Sequence, residues 1–346
     1  MWSTVIGDTK HPTDYQLRRV TVDLTREDIR QESVQCQDLD DFLGGIARSF
    51  KLLAHYEVQD AFAPSAPLIM NLGVFSGTDL MTGLRIFFSA YSPLKVANNG
   101  RPLAMWSAAS DKFGTKVRAA GVDEVIFLGR AQQPIVHGLS FGDFHASCRV
   151  IEQAAAGQLP EVGQGVKRLS EKLGETAYAM HCKGLELPAY LPETNPGYPF
   201  AIAGGHMSMR TFLLLVFDGK TDMNYWVDAI VNKGPYYTRD DILGLCKFAG
   251  APDKVIEPVF KDFYGVEVTR EDLVHATQCT YLRGLLLERK QGATLDDYVL
   301  PTRVYQRNPN VQLPHFITPE FWRELRQRVF QAFDAQIEGY GLRPAA

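Results

Sequence analysis

The sequence predicts an α+β fold, in which an N-terminal β-rich domain of stacked sheets is followed by a mostly α-helical domain. Short β-prone and alternating runs fill the first part of the chain, and from about Cys148 the hydrophobic periodicity becomes helical. With 346 residues, 45% of them hydrophobic, the chain is long enough to form two cores. We therefore predict a β-rich domain over residues 1–140, a shortened helical connection over 141–180 and a helical domain over 181–346.

The N-terminal part contains strand patterns and one clear helix pattern. The segment 38–55 (DLDDFLGGIARSFKLLAH) has helical periodicity. The predicted strands are RRVTVDL (18–24), PLIMNLG (67–73), RIFFSAYS (85–92), VIFL (125–128) and IVHGL (135–139).

The C-terminal part contains helices with recognisable starts and ends. RVIEQAAAGQ (149–158) and VKRLSEKLGE (166–175) predict helices, and the Pro/Gly-rich residues 184–205 predict an irregular loop of the kind that often carries a site. Polar residues at helix starts and glycines at helix ends delimit the rest. The starts are Thr238 with Asp241, Thr269 with Asp272 and Thr318 with Pro319; the ends are Gly250, Gly265, Gly292 and Gly339.

Composition excludes several classes of function. The 36 Lys and Arg residues balance 40 Asp and Glu residues without a long run of either sign, which disfavours nucleic acid or an anionic membrane as partner. No stretch has the roughly 18 unbroken apolar residues of a membrane span, and no secretory leader pattern opens the sequence. Five scattered cysteines without a CxxC pair suit a reducing compartment. We expect a cytoplasmic protein.

The stretch DDILGLCKF (240–248) combines helix-forming residues with a glycine and a cysteine. Asp241, at the third position of a predicted helix, suits the exposed N–H groups of a helix start. Gly244 is harder to explain, because glycine inside a helix costs roughly 1 kcal/mol relative to alanine. A group that packs against the backbone there would account for it. The stretch is therefore either a capped helix or part of a ligand site, and the two interpretations are compatible.

DDILGLCKF resembles the DxxGLCxF segment of the aldehyde:ferredoxin oxidoreductases, tungsten-pterin enzymes of anaerobic metabolism. The resemblance implies that Asp241 and Leu245 hold a pterin and that Cys246 is the last of four ligands to a [4Fe–4S] cluster. It extends over roughly residues 18–140 and 180–345.

Further segments carry the same resemblance in order along the chain. Residues 73–95 are similar to the family's G-x-LTGT…R…KSPLTG segment, and Arg85 stands at the position of a pterin-contacting arginine. HCKGLELPAY (181–190) resembles VKGxExPAYDPR, and His206 in AGGHMSMR stands where the family keeps a histidine near the metal.

The chain also departs from the family pattern, as a shortened member that lacks the middle segment. Family members are nearly twice as long, and the missing length falls at about residues 141–180. The absent motifs are the CxxCxxxC that supplies three cluster ligands, the first DxxGL motif, the active-site glutamate and an RGGxG phosphate loop. Asp111 also places a carboxylate in the family's NSGG loop, where it should repel phosphate. We therefore expect no [4Fe–4S] cluster from this chain alone.

Each candidate residue also has a structural interpretation. Cys246 is either a cluster ligand that needs cysteines from another chain or a buried, inert thiol. His206 is either a proton donor or electrophile beside a substrate carbonyl or a structural turn residue. Arg85, in an alternating strand, faces either a ligand phosphate or solvent.

Two functions follow from the resemblance and the departures. The first is an oxidoreductase that acts on an aldehyde, a carboxylate or an acyl group with a tungsten or molybdenum pterin. Its electrons would pass to a ferredoxin-like carrier or an iron–sulfur subunit, within a homo- or hetero-oligomer. The alternative is a reduced, non-catalytic paralogue that serves as a binding or assembly subunit.

Overall fold

The computed structural model of the chain describes residues 10–80, 82–109, 112–131, 135–138, 147–150, 219–246, 249–298 and 315–343. In this part of the chain a mixed β-sheet precedes a set of helices, which confirms the α+β prediction. Both predicted domain boundaries, at residues 140 and 180, lie outside the described ranges.

Six of the described strands form one sheet in the order β2-β1-β6-β3-β4-β5. Neighbours are antiparallel except for β1 and β6, which are parallel. A separate antiparallel pair, β7–β8, follows. The bounds are β1 Gln16–Asp23, β2 Asp28–Gln35, β3 Leu68–Leu72, β4 Ile86–Val96, β5 Pro102–Ala109, β6 Glu124–Leu128, β7 Ile135–Gly138 and β8 Ser147–Val150.

The described helices are α1 Leu39–Leu43, α2 Gly45–Leu53, α3 Lys112–Ala119, α4 Met223–Asp228, α5 Arg239–Leu243, α6 Asp253–Tyr264, α7 Arg270–Lys290 and α8 Pro319–Gly339. Among them, none is both long and apolar enough to cross a membrane.

Helices pack on both faces of the sheet, against side chains that alternate along the strands. In β3 and β6, Met70 and Val125 pack with Val117 of α3, whereas Ile69 and Ile126 pack on the opposite face with Leu53 of α2. Successive residues of a strand point to opposite faces, so this arrangement follows directly from the apolar runs PLIMNLG and VIFL.

The predicted helix over residues 38–55 is two helices in the structure. Asp38 caps α1 by accepting a hydrogen bond from the Asp41 N–H (3.0 Å). Gly44, with φ of +71°, then breaks the helix, and a Cβ there would lie 2.3 Å from the Leu72 carbonyl oxygen. The close approach of β3 therefore explains the break.

Other predicted helix limits agree with the structure only in part. Thr269 and Asp272 form a capping box at the start of α7, and Thr318 caps α8 ahead of Pro319. Gly265 ends α6 in the left-handed conformation. Helix α8 ends at Gly339, as predicted, with Tyr340 as its C-cap.

The helical period predicted from about Cys148 is also wrong at its start. Residues Ser147–Val150 form β8, which pairs with β7. The rest of the predicted helices at 149–158 and 166–175, and the loop at 184–205, lie outside the described residues. Strands β2 and β5 and helix α3 were not predicted: β2 is largely polar and exposed, so it lacks an alternating apolar signal.

The strand-rich and helical parts share a hydrophobic core. One cluster of buried side chains joins residues of α1 and of the loop after β3 with residues of α5, α6 and α7; it includes Phe42, Phe75, Ile242, Phe260 and Leu273. This shared core fixes the position of α5 relative to the sheet.

A buried ion network lies between α2 and the sheet. Arg48 contacts Asp41 through Nη1 (2.8 Å) and Glu124 through Nε (3.0 Å), and Lys51 also reaches Asp41 (2.6 Å). Burial alone would raise the pKa of Asp41, but the hydrogen bond from Lys51, the charge of Arg48 and the Gln37 N–H outweigh it and lower that pKa.

This network predicts how stability depends on pH. A carboxylate whose pKa is lower in the folded state stabilises the fold above its unfolded pKa of about 3.9, and that stability is lost as the pH falls through the folded pKa. Urea unfolding between pH 3 and pH 7 should therefore show a smaller loss of stability on acidification for Asp41→Asn than for the wild type. Parallel pH profiles for the two proteins would contradict the assignment.

Candidate functional site

In the stretch DDILGLCKF, the described residues 240–246 form the end of a short helix and a sharp turn. Helix α5 ends at Leu243, and Gly244 is its C-cap in the left-handed conformation (φ +82°). The expectation that Gly244 lies inside a helix is therefore wrong, because a left-handed glycine ends a helix. Thr238 also does not cap α5: its hydroxyl donates to the Pro235 carbonyl (2.7 Å).

The backbone at Gly244 is approached closely by the protein itself. A Cβ on Gly244 would lie 2.1 Å from Ser76 Oγ, and one on Gly73 would lie 2.3 Å from the Gly244 nitrogen. A Cβ on Gly45 would lie 2.4 Å from the Asp241 carbonyl oxygen. Glycines therefore let three segments of the chain meet at this point, and the group that packs on Gly244 is the loop after β3.

Three backbone hydrogen bonds hold the turn against the sheet. The Phe75 N–H donates to the Leu243 carbonyl (3.0 Å), and the Arg85 N–H donates to the Gly244 carbonyl (3.1 Å). The Cys246 N–H donates to the Thr82 carbonyl (3.0 Å). The turn at Gly244 and the loop that leads into β4 are thus fixed relative to each other.

Arg85 and Asp241 meet in a buried ion pair at this junction. Arg85 Nη1 lies 3.2 Å from Asp241 Oδ1, the Asp241 side chain has 0% exposure and that of Arg85 has 14%. The structure therefore brings together two of the residues predicted to hold a ligand. Arg85 does not extend into solvent, which removes one of its two interpretations.

Leu245 lies beside this pair but belongs to the shared core. Its side chain is buried with Phe75 and Phe87, and its N–H donates to the Asp240 carbonyl (2.9 Å). The structure thus gives Leu245 a packing role; its predicted contact with a pterin stays a prediction.

Two buried polar atoms near the pair suit a polar ligand. Within the described part of the chain, Arg85 Nε and Thr82 Oγ1 have no hydrogen-bond partner. Buried donors without a partner are uncommon and indicate an additional group, such as a ligand or a trapped water. A pterin presents both N–H donors and acceptor oxygens, so a carboxylate next to free donors fits it. Asp241 is fully enclosed, however, and a ligand reaches it only if neighbouring groups move.

The cysteines of the described residues differ in accessibility. Cys36 and Cys279 are buried, whereas Cys246 is partly exposed. Burial, followed by the charges of Asp41 and Asp40 respectively, raises the pKa of Cys36 to about 12 and that of Cys279 to about 11. Both are therefore neutral thiols near pH 7, unlike the thiolates that bind metals.

The described residues contain no group of three or more His, Cys, Asp or Glu side chains arranged to hold a metal. The side chain of Cys148, and all of Cys182, His206 and Asp111, lie outside the described part. The cluster role of Cys246 and the catalytic role of His206 accordingly stay predictions. Thr82 and Ser76 were not predicted, and their only sequence signal is the glycine-rich context of residues 73–83.

The crowding at Gly244 predicts a specific loss of stability. Gly244→Ala should destabilise the protein more than Gly250→Ala, by about 1 kcal/mol or more, because both glycines have positive φ but only Gly244 has neighbours within 4 Å of a new Cβ. Urea unfolding of the two variants measures the difference. Equal losses would mean that backbone conformation alone explains Gly244.

The cysteine environments predict an order of alkylation. In the native protein, iodoacetamide should modify Cys246 before Cys36 and Cys279, because a buried thiol with a raised pKa reacts slowly. Peptide mapping by mass spectrometry distinguishes the sites, and the order should disappear in urea. Faster native modification of Cys36 or Cys279 would contradict the burial that the structure shows.

Comparison with known proteins identifies the family. The chain matches the N-terminal domain of aldehyde ferredoxin oxidoreductase over residues 19–181, and domains 2 and 3 of that family over residues 131–336. No curated protein matches significantly. A similar solved structure is the active site complex BamBC of benzoyl coenzyme A reductase in complex with 1,5-dienoyl-CoA, with 21% identity and a TM-score of 0.39. The similarity covers 46% of this chain and 24% of that one. Since the match to domains 2 and 3 alone spans more than half of the sequence, the protein belongs to the aldehyde ferredoxin oxidoreductase family.

Proposed function

We propose that this chain is a pterin-binding oxidoreductase of its family, acting on an aldehyde, a carboxylate or an acyl group. The observation that carries the proposal is the buried Arg85–Asp241 pair. Arg85 lies in the region that matches the N-terminal domain, and Asp241 lies in the region that matches domains 2 and 3. The pair thus joins the two matched regions at a point with unsatisfied buried donors.

The side chains at this junction suit the two ends of a pterin. The planar guanidinium of Arg85 can bind a phosphate through two N–H groups, and its Nε is free of protein partners within the described residues. The carboxylate of Asp241 can accept paired hydrogen bonds from amino and ring N–H groups. Buried charged hydrogen bonds are strong because little water competes for them.

Binding requires a rearrangement of the pair. Because Asp241 is enclosed, Arg85 must turn from the carboxylate towards the ligand for both groups to make contact. The free-energy cost of separating the pair is small if the ligand replaces each lost partner, because a buried charge is costly only when it is left uncompensated.

The bound metal would supply a two-electron exchange at the substrate. His206 is proposed as the proton donor or electrophile beside the substrate carbonyl, from its place in the sequence resemblance. In that role a neutral histidine would hold the proton on one ring nitrogen and donate it as charge develops on the carbonyl oxygen.

Electron transfer would involve a second protein. Cys246, with its partly exposed thiol, is proposed to complete a cluster with cysteines that another chain supplies, because a [4Fe–4S] cube needs four ligands. A ferredoxin-like carrier or an iron–sulfur subunit would then accept the electrons one at a time. The proposal applies to a tungsten or a molybdenum pterin and to a homo- or hetero-oligomer.

A second candidate is a non-catalytic binding or assembly subunit. It is favoured by the closed packing of the junction: Ser76 occupies the space beside Gly244, and Asp241 already has a cationic partner. In this case the pair would stabilise the fold alone.

Matched substitutions distinguish the two candidates. Asp241→Asn removes a carboxylate that pairs with Arg85, and Asp40→Asn removes a buried carboxylate that pairs with Arg283 instead. Breaking a buried pair costs about 3–5 kcal/mol, so both variants should lose stability. Only Asp241→Asn should lower the tungsten, molybdenum and pterin content of anaerobically purified protein, by about tenfold if one charged hydrogen bond of at least 1.4 kcal/mol is lost.

Thr82→Val provides a test without a stability loss. Because the Thr82 hydroxyl has no partner among the described residues, removing it should leave stability unchanged or raise it while lowering pterin content. Ser89→Ala, at another buried hydroxyl without a described partner, is the control and should keep full occupancy. Equal occupancy in all variants, or wild-type protein without metal or pterin, would favour the non-catalytic subunit.

A further inference from the structure

The loop at residues 73–77 (GVFSG) contacts the backbone on both sides of the Arg85–Asp241 pair. The Ser76 hydroxyl donates to the carbonyl of Arg85 itself. The Phe75 N–H donates to the carbonyl of Leu243, in the helix that carries Asp241. A shift of this loop relative to either backbone would therefore act on the backbone that carries one of the two charged residues.

Arg118 of α3 holds this loop through three carbonyl oxygens. Its Nε donates to Ser76 (2.9 Å), and its Nη2 donates to Gly73 (3.1 Å) and Val74 (3.2 Å). Its Nη1 pairs with the carboxylate of Asp123, the residue before β6. One guanidinium thus ties the loop to the sheet.

The local backbone is built to admit this side chain. A Cβ on Gly77, which has φ of +72°, would lie 2.6 Å from Arg118 Cβ. Glycine at residue 77 therefore allows α3 to approach the loop closely. On the other side of the loop, Gly73 lies against Gly244, so the contacts run without a gap from Arg118 to the turn after Asp241.

We propose that Arg118 is a positioning residue that sets the geometry of the Arg85–Asp241 pair through the loop at residues 73–77. This inference rests on the proposed function only because it takes the Arg85–Asp241 pair as the ligand site. A lysine could keep the charge opposite Asp123 but could not reach three carbonyl oxygens in one plane, because its ammonium is a single point of donation. Loss of the guanidinium would remove the donor to the Ser76 carbonyl and would leave the Gly73 and Val74 carbonyls with only the Ser76 N–H and the Tyr264 hydroxyl, which would loosen the loop.

A double-mutant cycle in two backgrounds tests the inference without any ligand. The coupling between Arg85 and Asp241 is measured from the urea-unfolding constants of wild type, Arg85→Met, Asp241→Asn and the double variant. We expect coupling of about fivefold or more in the wild-type background, which is the range for residues in direct contact. In the Arg118→Met background the coupling should fall to within about twofold of unity, and Arg118→Lys should behave similarly.

Arg326→Met is the matched control. Arg326, in α8, is also an arginine that joins a backbone carbonyl to a carboxylate: it donates to the Leu295 carbonyl and pairs with Asp296. Its removal should lower stability but leave the coupling unchanged, which separates positioning from general destabilisation. Unchanged coupling in both Arg118 variants, or an equal fall in Arg326→Met, would overturn the inference; if Arg118→Met does not fold, Arg118→Lys decides. The proposed function fails separately, by a lack of pterin in the wild type.

Discussion

The ion pair between Arg85 and Asp241 is the interaction on which the proposed site depends, and the shared core holds it between the two parts of the chain. Both charges lie where water is largely excluded, so each needs a compensating partner to be tolerated. Their pairing connects the residue before β4 to a helix more than 150 residues later in the sequence. A buried pair adds little stability compared with apolar packing, and such pairs are often explained by specificity or by function. Arg85 Nε and the Thr82 hydroxyl, which have no described partner, favour a functional role for this pair.

The pair is placed by close backbone contacts rather than by long side chains. Glycines at residues 45, 73 and 244 lack the Cβ atoms that would separate the segments. The shared core, which includes Phe42, Phe75 and Phe260, packs beside these contacts. Interiors packed in this way respond to a small shift at one point by moving a neighbouring segment. The distance between Arg85 and Asp241 therefore depends on residues that touch neither of them, and Arg118 is the clearest example.

Much of the fold could be predicted from the sequence, because local signals decide it. Alternation identified β1, an apolar run identified β6, and polar caps identified the starts of α7 and α8. The break at Gly44 and the turn at Gly244 could not be predicted from local signals, since each is caused by a distant segment, β3 or the loop after it. The candidate site, too, could be predicted only where the signal lies in the sequence itself. Resemblance selected Arg85 and Asp241, but their mutual pairing and the unpartnered Thr82 hydroxyl became visible only in three dimensions.

The central claim is that this junction is a ligand site and not only a contact between two parts of the fold. The most direct test is a crystal structure of protein purified under strict exclusion of oxygen, with anomalous scattering recorded at the tungsten and molybdenum edges. We predict a metal-bound pterin beside the junction, with Arg85 turned towards a ligand oxygen and Asp241 hydrogen-bonded to ring N–H groups. An intact Arg85–Asp241 pair with a pterin bound elsewhere, or with no pterin at all, would contradict the account.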